Sequence, residues 1–241
     1  MPADVAATQR AAARSAPMLR LGLRGALIVA ALVALLIVVA TDQILPPATD
    51  RQAELRLWLA ARATGLVAMG LLTLQVVLGL VLSHPHNKTT WRLSNRIFPW
   101  HDHLWVFVMA FLAAHVVSLL ADPKSGLDAI GALVPGLSSY RSAPVALGTL
   151  ATYAFLATAV SARWTRLLPP GAWLRLHRLA LVIFVFAWLH SILAGTDSMA
   201  LQAVYALMAA SVVGAGAYRY WAARRARPTF STIDRLEGSV R

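Results

Sequence analysis

An all-α fold is expected from this sequence: a polytopic membrane bundle of about six transmembrane helices with both termini cytoplasmic. Of the 241 residues, 59% are hydrophobic and only 13% charged, and the mean hydropathy of +0.64 lies outside the range of ordinary soluble domains. Apolar stretches close to the roughly 20 residues that cross a hydrocarbon core of about 30 Å recur along nearly the whole chain. Lysine and arginine fall between these stretches on one alternating side.

The first stretch, 21–40, follows a basic leader (1–20) with Arg10, Arg14 and Arg20, and opens with Arg24. Its length suits a retained span, although a basic leader, an apolar run and a Val38-Val39-Ala40 ending also fit a cleavable signal peptide. The second span covers 61–83. The third covers 101–120, with Pro99 at its entrance and Trp100 and Trp105 near its start. The connection 122–144 contains an apolar piece too interrupted by glycine and proline to cross, which reads as a re-entrant or interfacial turn. The fourth span is 145–162. After the break at Pro169-Pro170-Gly171, the fifth covers 173–194 and the sixth 199–221. Residues 21–222 thus form one membrane domain, and 223–241 form a basic cytoplasmic tail.

With the N-terminus inside, seventeen lysines and arginines fall on the inner side and five on the outer: Arg51, Arg56, Arg62, Lys124 and Arg141. Such a bias is the signature of cytoplasmic retention, and it places the protein in the inner membrane. Trp91, Trp100, Trp164, Trp173 and Trp221 then fall near the inner boundary, where amphipathic rings are favoured. The net charge of +12 is therefore read as topology. Its scatter between apolar segments gives no patch for nucleic acid.

The chain has no cysteine, which excludes disulfides, iron–sulfur clusters, thiolate-ligated haem and covalent c-type haem. No glycine-rich dinucleotide fingerprint follows a predicted strand, so no flavin or NAD(P)H site is expected.

Seven histidines occur, and four form a pattern. His101 and His115 lie fourteen residues apart in the third span, and His177 and His190 thirteen apart in the fifth. These two spans run in the same direction. Their first histidines share one depth and their second another, about 20 Å away at 1.5 Å per residue. Low-spin haem iron takes one axial ligand on each face, and neutral imidazole serves in a low-dielectric site. The pattern suits two stacked bis-imidazole sites that divide the bilayer into shorter electron hops. At about 100° per residue, His115 returns to within roughly 40° of His101, but His190 lies about 140° from His177. The fifth span must therefore kink, overwind or use different rotamers, or else only one of its histidines is a ligand and the protein holds one haem b instead of two. His103 competes with His101. His84 and His86, beside Pro85, are expected to lie in an inner loop.

The pairs His101/His115 and His177/His190, with the segments Trp173-Leu174-Arg175-Leu176-His177-Arg178 and His190-Ser191-Ile192-Leu193-Ala194-Gly195-Thr196-Asp197, resemble the ferric reductase-like transmembrane domain family. This is the haem-bearing six-helix core of ferric reductases and NADPH oxidases, and the resemblance runs from about Arg62 to Tyr220. More loosely, the chain is similar to the haem subunit of the bacterial periplasmic methionine-sulfoxide reductase. The resemblance implies electron passage from a cytosolic flavin domain through b haems to an outer acceptor. Because the flavin and nicotinamide domains of the family are missing here, it implies the haem-binding subunit of an oxidoreductase. The donor would be a separate flavoprotein, reductase or membrane quinol, and an acceptor protein could sit outside.

Arg62 and Arg141, with Tyr140, fall near the outer face, where a guanidinium can pair a haem propionate or simply reach the interface. Arg92, Arg96, Arg175 and Arg178 have the same choice inside, or serve to dock an acidic redox partner. Asp197 and Thr196 suit a cap on the sixth span. Gly65, Gly70 and Gly79 in the second span permit close approach of a backbone or porphyrin, or plain helix packing. The competing function is a transporter or channel that uses histidine without haem, or a scaffold whose histidines merely pack. Apart from Asp102 at the entrance of the third span, the spans carry no acid, and no inverted repeat is visible, which disfavours transport.

Overall fold

A computed structural model describes residues 23–43, 47, 49–83, 91–165, 168–169, 172–196 and 198–225. Eight helices and no strand are found among the described residues: α1 (Leu23–Gln43), α2 (Asp50–Leu82), α3 (Trp91–Ala121), α4 (Ala129–Leu133), α5 (Ser142–Arg163), α6 (Ala172–His177), α7 (Ala180–Ala194) and α8 (Gln202–Arg225). Among the described residues, four segments are long and apolar enough to cross a membrane: α2, residues 93–121 of α3, α5, and 172–194 comprising α6 and α7. These match the second to fifth expected spans, so the chain is an all-helical, multi-pass membrane protein. His84, His86 and Asp197 lie outside the described residues.

The helix ends differ from expectation in two places. α2 begins eleven residues before the apolar run, at Asp50, because Thr49 caps it: its hydroxyl accepts from the Gln52 N–H at 3.2 Å. At 33 residues the helix is about 50 Å long, so its polar first turns extend past the hydrocarbon layer. α3 also begins early, at Trp91, which puts Pro99 inside the helix. A proline there removes one ladder donor, and the backbone nonetheless continues.

Apolar groups occupy both the inside and the outside of the bundle. Met69, Leu72 and Val76 of α2 meet Trp105 and Val108 of α3, Phe155 of α5, Ile183 and Phe184 of α7 and Val212 of α8 in one core. Leu36, Phe107, Leu181, Leu207 and Val213 face outward, which a lipid environment satisfies and water does not. α2 and α3 approach closely because small side chains line the seam. Ala110, Ala114 and Ser118 recur every fourth residue on α3 and are fully or almost fully buried, as is Ala61 on α2. Buried hydroxyls on the helices return to their own backbone: Thr64 donates to the Ala60 carbonyl at 2.7 Å and Thr73 to that of Met69 at 2.8 Å.

Residues 122–141 fold over one end of the bundle. α4 is a five-residue helix capped by Asp128, which accepts from the Gly131 N–H at 2.7 Å. Thr149 of α5 donates to the Ala132 carbonyl at 2.9 Å, and Tyr153 donates to that of Leu133, so this turn is tied to the bundle below. The broken apolar piece thus forms a short helix and turn that does not run through the bundle.

Candidate cofactor site

The four patterned histidines meet in two pairs. The rings of His101 and His177 have centroids 5.9 Å apart at an interplanar angle of 82°, and those of His115 and His190 lie 6.3 Å apart at 80°. First pairs with first and second with second, as parallel α3 and α6–α7 require. Along α3 the two levels are fourteen residues apart, or about 20 Å of helix rise.

The angular mismatch in the fifth span is resolved by a break directly after His177. α6 ends there, and α7 begins at Ala180. In between, the Leu179 N–H donates to the Leu176 carbonyl at 2.9 Å, an i→i+3 bond of the tighter 3₁₀ kind, before the Ile183 N–H resumes the α ladder to Leu179. Overwinding turns His190 toward α3, in the direction the spacing demands.

Hydrogen bonds to backbone carbonyls set the tautomer of three rings. Nδ1 of His115 lies 2.7 Å from the Ala61 oxygen, Nδ1 of His190 lies 2.9 Å from that of Pro144, and Nδ1 of His101 lies 3.1 Å from that of Gln75. A carbonyl can only accept, so each Nδ1 carries the proton and each neutral ring keeps its lone pair on Nε2. The Pro144 carbonyl is in the first turn of α5 and has Nδ1 of His190 as this partner. Three glycines make room for the same rings. A Cβ on Gly65 would lie 2.8 Å from Nδ1 of His115, one on Gly148 2.8 Å from Nδ1 of His190, and one on Gly79 3.1 Å from Cε1 of His101. Gly70 faces only Met208, at 3.7 Å, and serves packing.

A cavity of about 480 Å³ opens at the His115–His190 pair. It falls within the range of roughly 300–1,000 Å³ typical of cofactor-sized ligands. Gly65, Leu72, Phe155 and Ile183 line its apolar body, and Arg62, Tyr140 and Thr196 bring polar groups to it. Leu127, Ala132 and Leu133 of the interfacial turn also line it.

The ring separation of each pair suits an iron held between two imidazoles, and at the His115–His190 pair a cavity lies beside the rings. An ion held by two opposed imidazole nitrogens at about 2.0–2.1 Å each puts the ring centroids roughly 6 Å apart, which is the separation both pairs have. The engaged Nδ1 atoms are the outer contacts that orient metal-ligating histidines. Among the described residues no group of three or more His, Cys, Asp or Glu side chains gathers.

The remaining candidates divide. Arg62 donates to the Thr196 hydroxyl beside the cavity. Arg141 is turned to the end of α7, donating to the Leu193 carbonyl at 2.6 Å, and its backbone is left-handed (φ 42°). Such a conformation costs a non-glycine residue about 1–2 kcal/mol, and the guanidinium's bond to a carbonyl in the last turn of α7 opposes that cost. Tyr140 donates to the Ala194 carbonyl at 3.1 Å. Among the described residues no ring pairs with His103; its Nδ1 is 2.7 Å from the Pro99 carbonyl. Asp102 beside it is held by Arg163, whose Nη2 is 3.5 Å from Oδ1 and 2.9 Å from the Asp102 carbonyl.

Gly148 was not anticipated from sequence; a kink or overwinding of the fifth span was among the outcomes expected, but not its position at Arg178-Leu179. The glycines did leave a signal: Gly65 and Gly79 are fourteen residues apart, the spacing of the histidines they face on the antiparallel neighbour. No protein-family model, curated protein or solved structure matches the chain.

Proposed function

We propose that the protein is a transmembrane electron conduit of the ferric reductase-like kind, holding two b-type haems between the His101–His177 and His115–His190 pairs. The observation that carries this reading is the pair of crossed imidazoles at each of two levels, with centroids 5.9 and 6.3 Å apart. A histidine packed for structure alone needs no second ring at this distance. Two such pairs, at two depths of one helix pair, divide the membrane as electron transfer requires.

Bound haem supplies one-electron chemistry. The chain holds the ring nitrogens in place: the carbonyls of Ala61, Pro144 and Gln75 fix the tautomers, and Gly65, Gly79 and Gly148 fix the ring positions. Arg62 places a positive charge at the cavity of the His115–His190 pair, where it balances a haem propionate. α1 and α8, at 21 and 24 residues, complete six spans at about 1.5 Å per residue. The charge bias then sets both termini in the cytoplasm of a cell with an inner membrane, and the His115–His190 pair on the outer side. The donor is a separate flavoprotein, reductase or quinol, and the acceptor lies outside.

A reduced-minus-oxidised visible spectrum with pyridine haemochrome quantitation tests this. Two haems b per chain, with one lost on the double substitution His115→Ala/His190→Ala, is the expected result. Haem-free protein from haem-replete cells would overturn the proposal and return the histidines to packing or transport.

A further inference from the structure

Three of the four paired histidines are held twice, and the fourth is not held in either way. His101, His115 and His190 each have a carbonyl on Nδ1 and a glycine against the ring. Nδ1 of His177 is buried without a hydrogen-bond partner. Among the described residues no glycine packs against its ring. On α5, thirteen and fourteen residues after Gly148, stand Ser161 and Ala162.

The local backbone is a short helix followed by a break. His177 ends a six-residue helix with no buried residue, and the chain leaves the helix in the next two positions. Its ring neighbours are His101 and Trp173, the latter 6.0 Å away and tilted by 55°.

We infer that His177 is an exchangeable ligand, and that a small neutral diatomic molecule takes its place on the iron of the His101–His177 pair while the His115–His190 pair stays closed. This rests on the haem reading above. An Nδ1–H···O=C bond orients the ring and strengthens its donor nitrogen, and losing such a partner typically costs 10–100-fold in metal affinity. At the His115–His190 pair, release of either ring would strand a buried N–H and a carbonyl together. Release of His177 strands neither, since its Nδ1 has no partner to lose.

Carbon monoxide is the probe, because it binds ferrous haem only where an axial position opens. The dithionite-reduced full-length protein is titrated with carbon monoxide after its haem has been counted, alongside His115→Ala/His190→Ala and His101→Ala/His177→Ala. The expected result is a carbon monoxide band from half of the wild-type haem, retained in the first double variant and absent from the second. Haem-loaded wild type with no band, a band from all of its haem, or a band kept by the second variant would overturn the inference alone. Haem-free wild type, seen before any gas is added, would overturn the haem reading itself.

Discussion

Placing a single methyl group on Gly148 is expected to empty the His115–His190 site while leaving the other filled. The new Cβ would lie 2.8–2.9 Å from three atoms of the His190 ring, Nδ1, Cε1 and Cγ. Non-bonded heavy atoms settle at about 3.5–4.0 Å, so the ring must retreat by roughly 0.7–1 Å. It cannot retreat and keep the 2.9 Å contact between Nδ1 and the Pro144 carbonyl. Stranding a buried donor costs about 1–3 kcal/mol, and disturbing a ligand's outer contact lowers metal affinity about 10–100-fold. Haem titration of purified Gly148→Ala, followed by absorbance and by pyridine haemochrome, is the assay. The control is Gly214→Ala, since a Cβ there meets nothing within 4 Å and helix propensity alone favours alanine by about 0.8–1.0 kcal/mol. The expected outcome is one haem per chain in Gly148→Ala and two in Gly214→Ala. Gly148→Ala with two haems bound at wild-type affinity would refute the glycine argument.

Other consequences are equally specific. Arg62→Ala removes a positive charge from the cavity of the His115–His190 pair. Because a nearby cation favours the reduced state, redox titration should find that site lowered by tens of millivolts, the scale of a 1–2 kcal/mol interaction at an effective dielectric of about 20. The near-perpendicular rings, at 82° and 80°, should give the oxidised protein a strongly anisotropic low-spin electron paramagnetic resonance signal; a rhombic signal with three well-resolved features would contradict the observed ring planes. His103→Ala should keep both haems and an unchanged visible spectrum, since its ring bonds the Pro99 carbonyl and has no partner imidazole among the described residues.

The second to fifth spans and the pairing were legible from sequence because both depend on period and length. Four apolar runs long enough to cross the membrane became helices. The fourteen- and thirteen-residue histidine spacings were enough to match first with first. The break after His177 was not legible: Arg178 and Leu179 are ordinary helix formers, and only the 140° mismatch between the two histidines hinted at it. Helix starts were missed where polar residues decide them, as at Thr49, because a hydropathy reading starts where the lipid-facing run does. Gly148 was passed over because a lone helical glycine is usually packing. Its role depends on which ring the fold brings across from α7, and that is a tertiary fact. Arg141 illustrates the converse: it was expected to pair a propionate or reach the interface, whereas its guanidinium donates to the Leu193 carbonyl, from a residue with a left-handed backbone.

Electron passage across a closed membrane tests the central claim most directly. Purified protein in sealed vesicles with trapped ferricyanide would be exposed to a membrane-impermeant reductant, beside His115→Ala/His190→Ala vesicles and protein-free vesicles. The account predicts rapid reduction of the trapped acceptor with wild type, falling to the protein-free rate in the double variant. Haem-loaded wild type that reduces it no faster than empty vesicles would contradict the conduit.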